Sequence, residues 1–369
     1  MDFKIVNVKD NKQLLEFVKF PFHLYNDNNL WVPPLVSDQL ALFNKKNPFF
    51  EHSKAQLFYV TKGNKIVGRI SAHTNKMHNN FHQDKKGFFG FFETINNIEV
   101  ATLLLDNAIK WLKEQGCDVV SGPYNFTTND ECGLLVEGFE TSPFVMMPHN
   151  FEYYQELMEK YGLTKAMDLY AWLLESDTMP PFLDAVGKRL NKSNQFTVRC
   201  LNKNNLKKDI ETVFEIYQKA WEMNWGFVPM TETEFNHLVK TLLPIVNPNL
   251  VFIAESEGKP AGFSVALPDY NVLLKKLNGK KSILGIIKYL YFKNKVNSLR
   301  VITMGVVKEY QGKGIDSLFY YHTWKNGMKL GFNRGEFSWV LETNSMMNKI
   351  AKHLGAHIHK VYRIYEKEI

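Results

Sequence analysis

Three cysteines in 369 residues, Cys117, Cys132 and Cys200, are too few for a disulfide framework. None stands in a CxxC pair or beside histidines at zinc spacing, so no metal site is expected. The opening MDFKIVNVKDNKQLLEF lacks the apolar core of a secretory leader, and no run of 18 apolar residues occurs. A reducing, cytoplasmic setting is the expectation. Acidic residues are missing from one long stretch, Tyr270 to Lys308. Within it, residues 275–295 carry Lys275, Lys276, Lys280, Lys281, Lys288, Lys293 and Lys295. Those seven equal the whole formal excess of 45 − 38 = +7, so the rest of the chain is balanced. The patch has neither the aromatic signature of RNA readers nor a helix-turn-helix pattern, and no nucleic-acid partner is expected.

The remaining composition, 45% hydrophobic and 14% aromatic, is that of a globular protein, and the length suits two domains. Residues 20–36, FPFHLYNDNNLWVPPLV, contain Pro21, Pro33 and Pro34 and read as extended chain. A hairpin follows, AQLFYV (55–60) and IVGRISAHT (66–74) around KGNK, in which Arg69 reads as a solvent-facing strand residue. KGFFGFFET (86–94) is a strand, and 98–115 is a helix stopped by Gly116. CDVVSGPYN (117–125), a helix ending at Gly162 and the strand DLYAWLLE complete the first half. The second half repeats the order. It has a helix over 207–222, a hairpin over 250–268, a β run LRVITMGVV (299–307), a glycine turn and helix, EFSWVLETN (336–344), a short helix and a last strand. The boundary is expected near 190, giving domains 1–190 and 191–369, with 177–204 as the junction. The expected class is α/β with a mixed sheet in each half.

The sharpest chemical signal is the β run followed by Gln311-Gly312-Lys313-Gly314 and an amphipathic helix. Glycines let a backbone approach a phosphate, and N–H groups at a helix start point at it. The segment is neither a P-loop nor a GxGxxG dinucleotide fingerprint. A plain strand–turn–helix connection is the competing reading.

Gln-x-x-Gly-x-(Gly/Ala) between a strand and a helix resembles the acyl-CoA signature of the GNAT superfamily of N-acyltransferases. Gln311 and Gly314 match it, as do the order of elements and the helix between Asn344 and Leu354-Gly355. HNFEYYQELMEKYGL (149–163) is similar to the family's late helix, so the first half resembles a second, degenerate copy without the glycine loop. The resemblance implies two tandem GNAT-like domains and one acyl-CoA site, with acetyl-CoA or a longer acyl-CoA as substrate. It places that site at Met304, Val306, Val307, Gln311, Gly312, Lys313, Gly314, Ile315 and Asn344. Backbone N–H groups near Val306 and Val307 would polarise the thioester. Asp316 stands where the family has Gly or Ala, and either caps its own helix or opposes the phosphates. Ala351 falls where the family often has a tyrosine acid.

Three carboxylates are candidate bases: Glu342 at a strand end, and Asp130 and Glu131 in the loop TTNDECGLLVEGFE. Asn129, Trp221, Asn224 and Trp225 are candidates for the acceptor pocket; turn chemistry and core packing are the alternatives. The basic, apolar 275–296 suits a peripheral membrane contact. These observations describe an N-acyltransferase acting on a small-molecule or lipid amine. The rival readings are a non-catalytic acyl-CoA or membrane-surface module and an aminoacyl-tRNA-dependent transferase of the Fem type.

Overall fold

The computed structural model describes residues 2–221, 224–280 and 296–369. It divides into two compact units that are not consecutive stretches of chain, as a single cut near 190 supposes. The first comprises Met1–Leu169, Asn271–Tyr291 and Lys360–Ile369; the second comprises Tyr170–Tyr270 and Phe292–His359. Of the lysine-rich segment, 281–295 lies outside the described residues, so its expected membrane contact is not addressed.

The first unit begins with β1 (Phe3–Asn7), α1 (Asn11–Leu24) and α2 (Val36–Leu42). Next come the hairpin strands β2 (Ser53–Lys62) and β3 (Lys65–Asn75), α3 (Lys76–His82), β4 (Lys86–Thr94) and α4 (Ile98–Glu114). β5 (Val119–Gly122), β6 (Leu134–Glu137), α5 (Tyr153–Lys160) and the start of β7 (Thr164–Glu175) follow. Lys62 pairs with Lys65, leaving Gly63 and Asn64 as the two-residue loop that the hairpin chemistry anticipated. Asn97 caps α4 by accepting from the Val100 N–H, and Val100, Leu104, Leu105 and Leu112 are buried on one helix face. Each such side chain contributes roughly 1.5–3 kcal/mol by leaving water.

Two expectations fail here, for one reason. Residues 20–24 are helical, with Pro21 inside α1. A proline there removes the N–H that would bond the carbonyl four residues back, Phe17. Arg69 of β3 supplies the missing donor, its Nη1 lying 2.9 Å from the Phe17 carbonyl. Arg69 is therefore buried, not solvent-facing, and its Nη2 lies 4.0 Å from Glu93 of β4. The Glu93 carboxylate accepts from the hydroxyls of Tyr25 at 2.6 Å and Tyr154 at 2.8 Å, tying the end of α1 and α5 to the sheet.

The second unit takes the rest of β7, from Tyr170, and then α6 (Pro181–Ser193), which lies within the expected junction. β8 (Thr197–Cys200), α7 (Leu206–Ala220), α8 (Glu232–Leu242), β9 (Val251–Ser256) and β10 (Lys259–Pro268) follow. After α9 (Asn271–Leu277), which belongs to the first unit, come β11 (Ser298–Val306), α10 (Ile315–Lys329), β12 (Arg334–Leu341) and α11 (Ser345–His353). The last strand, β13 (His357–Glu368), contributes from Lys360 onward to the first unit, where Tyr365 pairs with Gly122 of β5 and Arg363 with Leu134 of β6. In the second unit one sheet face carries α10, with Ile315, Leu318 and Phe319 packed on Phe252, Ala254 and Ala261. The other carries α7, with Val213, Ile216 and Tyr217 packed on Ile253 and Phe263.

Candidate active site

β11 and β12 are parallel and pair only from Ser298↔Arg334 to Val301↔Phe337. Both continue past that register, to Val306 and Leu341, and a wedge opens between them. Its cause is local. Against β10, β11 carries one extra residue, Ile302, between the pairs Val301↔Ala266 and Thr303↔Val265. Such a bulge bends its strand and increases its twist. Further along, the Val307 N–H donates to the Ala261 carbonyl at 2.9 Å. The alternation of an antiparallel ladder then turns the N–H groups of Met304 and Val306 away from β10, towards the wedge.

The glycine loop stands at the wedge's end. Gln311 does not reach outward: its Nε2 donates to the Val306 carbonyl at 3.0 Å and latches the loop to the strand. Gly312 has φ +71, and a Cβ there would meet nothing within 4 Å. Gly314, φ +91, is the N-cap of α10 and provides no side chain to cap the helix. A Cβ on Gly314 would come within 2.9 Å of Leu190 of α6, so this glycine serves packing as well as approach. Asp316 lies in the first turn of α10 but does not cap it. The Lys313 ammonium sits 5.6 Å above the Tyr310 ring.

Several expected ligand contacts have structural duties instead. The Val307 N–H is committed to Ala261, which removes it as an oxyanion donor. Ile315 is buried in the α10 core and anchors the helix. Asn344 is the N-cap of α11, accepting from the Met347 N–H at 3.1 Å. Ala351 is buried beside Tyr320 and Leu354. Glu342 is half-buried just past β12, and its carbonyl accepts from Asn348. Trp221 covers Gly305 so closely that a Cβ there would lie 2.1 Å from its ring, which puts the indole beside the outer half of β11. Asn224 is exposed in the turn that follows, and Trp225 is half-buried there.

Asn129, Asp130 and Glu131 belong to the first unit. Thr127 organises their turn, its hydroxyl donating to Asp130 at 2.9 Å and accepting the Asn129 N–H. Glu131 accepts from the Asn125 side chain at 3.2 Å.

The sequence reading overlooked a buried polar network in the second unit. Arg300 of β11 faces Glu336 of β12 across the ladder, and both side chains are almost wholly buried. Arg300 Nε donates to the Ser338 hydroxyl at 2.7 Å, and that hydroxyl donates to Glu336 Oε1 at 2.5 Å. The other carboxylate oxygen, Oε2, lies 2.7 Å from His359 Nε2. The signal was present as Arg300 inside the β run LRVITMGVV and Glu336 at the head of EFSWVLETN. Opposite charges at paired buried positions are the signature of a network.

The first unit has the corresponding wedge, and it is filled. β4 and β5 pair from Lys86↔Val119 to Phe88↔Ser121, and β4 then bulges at Phe91, φ +48. The chain itself enters the gap. The Tyr124 N–H donates to the Phe89 carbonyl at 2.7 Å, and Asn125 Oδ1 accepts the Phe91 N–H at 2.8 Å.

Two bulged wedges, each between parallel strands in a repeated order of elements, define a tandem GNAT fold. A tandem GNAT protein from the clavulanic acid biosynthesis pathway, solved without AcCoA, shares this fold at a TM-score of 0.60 and 9% identity, over 100% of this chain and 98% of that one. No family model matches the sequence. The bacterial ceramide synthase of Caulobacter vibrioides is 36% identical over 100% of this chain and 98% of its own. Protein YghO of Escherichia coli is 35% identical over 98% of this chain and 94% of its own. The chain belongs to the family of these two bacterial proteins.

Proposed function

We propose that the second unit transfers a long acyl group from acyl-CoA to the primary amine of a lipid-like amino alcohol, forming an amide. The observation that carries this reading is the open wedge past Val301↔Phe337, with the Met304 and Val306 N–H groups turned into it. Backbone donors fixed on a strand can stabilise the oxyanion of a tetrahedral intermediate without reorganising. Gly312, Gly314 and the uncapped start of α10 suit the pyrophosphate, with Lys313 alongside. Acceptance of a lipid amine rests on the relative named a ceramide synthase, since a ceramide is the N-acyl derivative of a long-chain amino alcohol.

In this reaction the neutral amine attacks the thioester carbon and the C–S bond breaks. The amide nitrogen gives up its remaining surplus proton, which ends on the departing sulfur. The test is incubation of the purified protein with palmitoyl-CoA or acetyl-CoA and sphinganine, following amide by mass spectrometry and free thiol by colour. Amide and thiol should rise together, faster with palmitoyl-CoA. Thiol release without amide, or equal rates with acetyl-CoA, would overturn the lipid assignment.

A further inference from the structure

We propose that α6 and α11 form a docking surface for an anionic lipid bilayer, on the flank of the second unit where the β12 wall of the wedge ends.

The surface is built around two side chains that the fold leaves in water. Phe182 of α6 is 52% exposed and Met346 of α11 is 48% exposed, more than any other large apolar side chain among the described residues. They belong to one patch. The Phe182 ring packs 5.7 Å from the ring of His353. Met346 stands two turns before His353 on the same face of α11, about 10 Å along the axis. Half-buried Ile350 lies between them on that face. Leu183 of α6 and Ala351 and Leu354 at the end of α11 are buried in one core, so both helices present the patch from a fixed base.

The charge around the patch has one sign. Arg189 and Lys192 of α6 and Lys349 and Lys352 of α11 are exposed, and none has an ionic partner among the described residues. Asp184, the one carboxylate on either helix, accepts from Lys188 at 2.7 Å. Arg189 follows Phe182 by two turns on the same face, and Lys349 and Lys352 line the flank of α11 beside Met346.

An apolar centre inside a basic margin matches a bilayer interface. The apolar groups enter the headgroup–acyl boundary and the cations meet lipid phosphates. A second copy of the same face is disfavoured, since it would set like charges against one another across the contact. The choice of a bilayer over an acidic protein rests on the acyl-transfer reading above, whose acyl chain and acceptor are both lipid-like. β12, one wall of the wedge, ends at Leu341, and α11 starts at Ser345. Docking through α11 would therefore bring the open wedge to the phase in which a long-chain amine dissolves.

The test is flotation of the full chain with vesicles of phosphatidylcholine alone, or of equal parts phosphatidylcholine and phosphatidylglycerol. The wild type should float with the mixed vesicles only, and leave them at high salt. K349E/K352E should bind at least about tenfold more weakly, because two attractive charges become repulsive. F182S/M346S should lose about tenfold as well, by removing the apolar insertion. All four positions are exposed, so the thermal melts should match the wild type. The control is K203E/K208E at the start of α7, on the sheet's other face, which changes the net charge equally and should stay within about threefold. A wild type that ignores mixed vesicles, as it would if its partner were an acidic protein, overturns the surface. So do patch variants that float like the wild type, or a control that falls as far as they do. Amide formation separates this surface from the reaction. K349E/K352E should keep its rate on sphinganine dispersed in detergent and lose it on sphinganine embedded in mixed vesicles; equal loss in both would also overturn the docking role. A wild type that floats but makes no amide overturns the reaction alone.

Discussion

The two units build the same wedge from the same order of elements, yet one stitches it shut with its own backbone and the other leaves it open. In the first, Asn125 takes the N–H of the bulge residue Phe91, and Tyr124 bonds Phe89. In the second, Gln311 at the corresponding strand end takes the Val306 carbonyl and leaves the donors of Met304 and Val306 facing outward. An occupied wedge satisfies its own backbone donors, and an open one leaves them for a ligand.

The sharpest way to break this contrast is Gly90→Ala. A Cβ there would lie 1.6 Å from the Tyr124 carbonyl oxygen, which is backbone and cannot yield. The first unit should lose more than about 3 kcal/mol, read as a lowered urea midpoint. An unchanged midpoint would mean that the stitch is not rigid.

Acid should separate the units next. Burial lowers His73 to about 3, His78 to about 4 and His149, also beside Lys360 and Lys275, to about 4. All three lie in the first unit, whereas His322, at about 4, is the counterpart found in the second. A histidine kept neutral when folded binds its proton only when unfolded, so its stabilising contribution is complete above about 6.5 and shrinks as pH falls towards the folded value. Each costs up to about 1.4 kcal/mol per pH unit across that window. Hydrogen exchange between pH 6.5 and 4 should therefore show the first unit opening earlier; simultaneous opening would contradict the burial of these rings.

Gly312→Ala tests the open side. Its Cβ meets nothing, so the substitution costs only the left-handed backbone, roughly 1–2 kcal/mol, while obstructing a phosphate. Palmitoyl-CoA affinity should fall by about tenfold, equivalent to about 1.4 kcal/mol. Unchanged affinity would move the pyrophosphate elsewhere. Gly314→Val is the poorer probe, because it would also strike Leu190. The smallest effect is expected of Asp316→Asn, a few-fold tightening at low salt that fades at high salt, as screening requires. Weaker binding instead would give Asp316 a role in holding the ligand.

Much of this was legible in the chain. The two hairpins, the repeated order of elements and the strand–glycine–helix segment follow from local pattern. What escaped depends on partners distant in sequence. Pro21 breaks a helix by every local rule, and only Arg69, on another element, makes it tolerable. The bulge at Ile302 has no residue signature, since it is a mismatch of register and not a property of isoleucine. The carboxylates at Asp130 and Glu131 cannot be sorted locally, because turn residues and acid–base residues are drawn from the same types. The Glu336–His359 pair was hidden for the opposite reason: a glutamate amid apolar strand residues gives no hint of its partner until the strands are laid side by side.

The placement of β13 has a consequence for how the molecule is made. The strand that lies between β5 and β7 in the first unit's sheet is synthesised long after both of them. No nascent chain ending before Lys360 holds the complete first unit, however long its earlier segments have been outside the ribosome. The stitched half, built largely from residues up to Leu169, must wait for residues some two hundred positions further along.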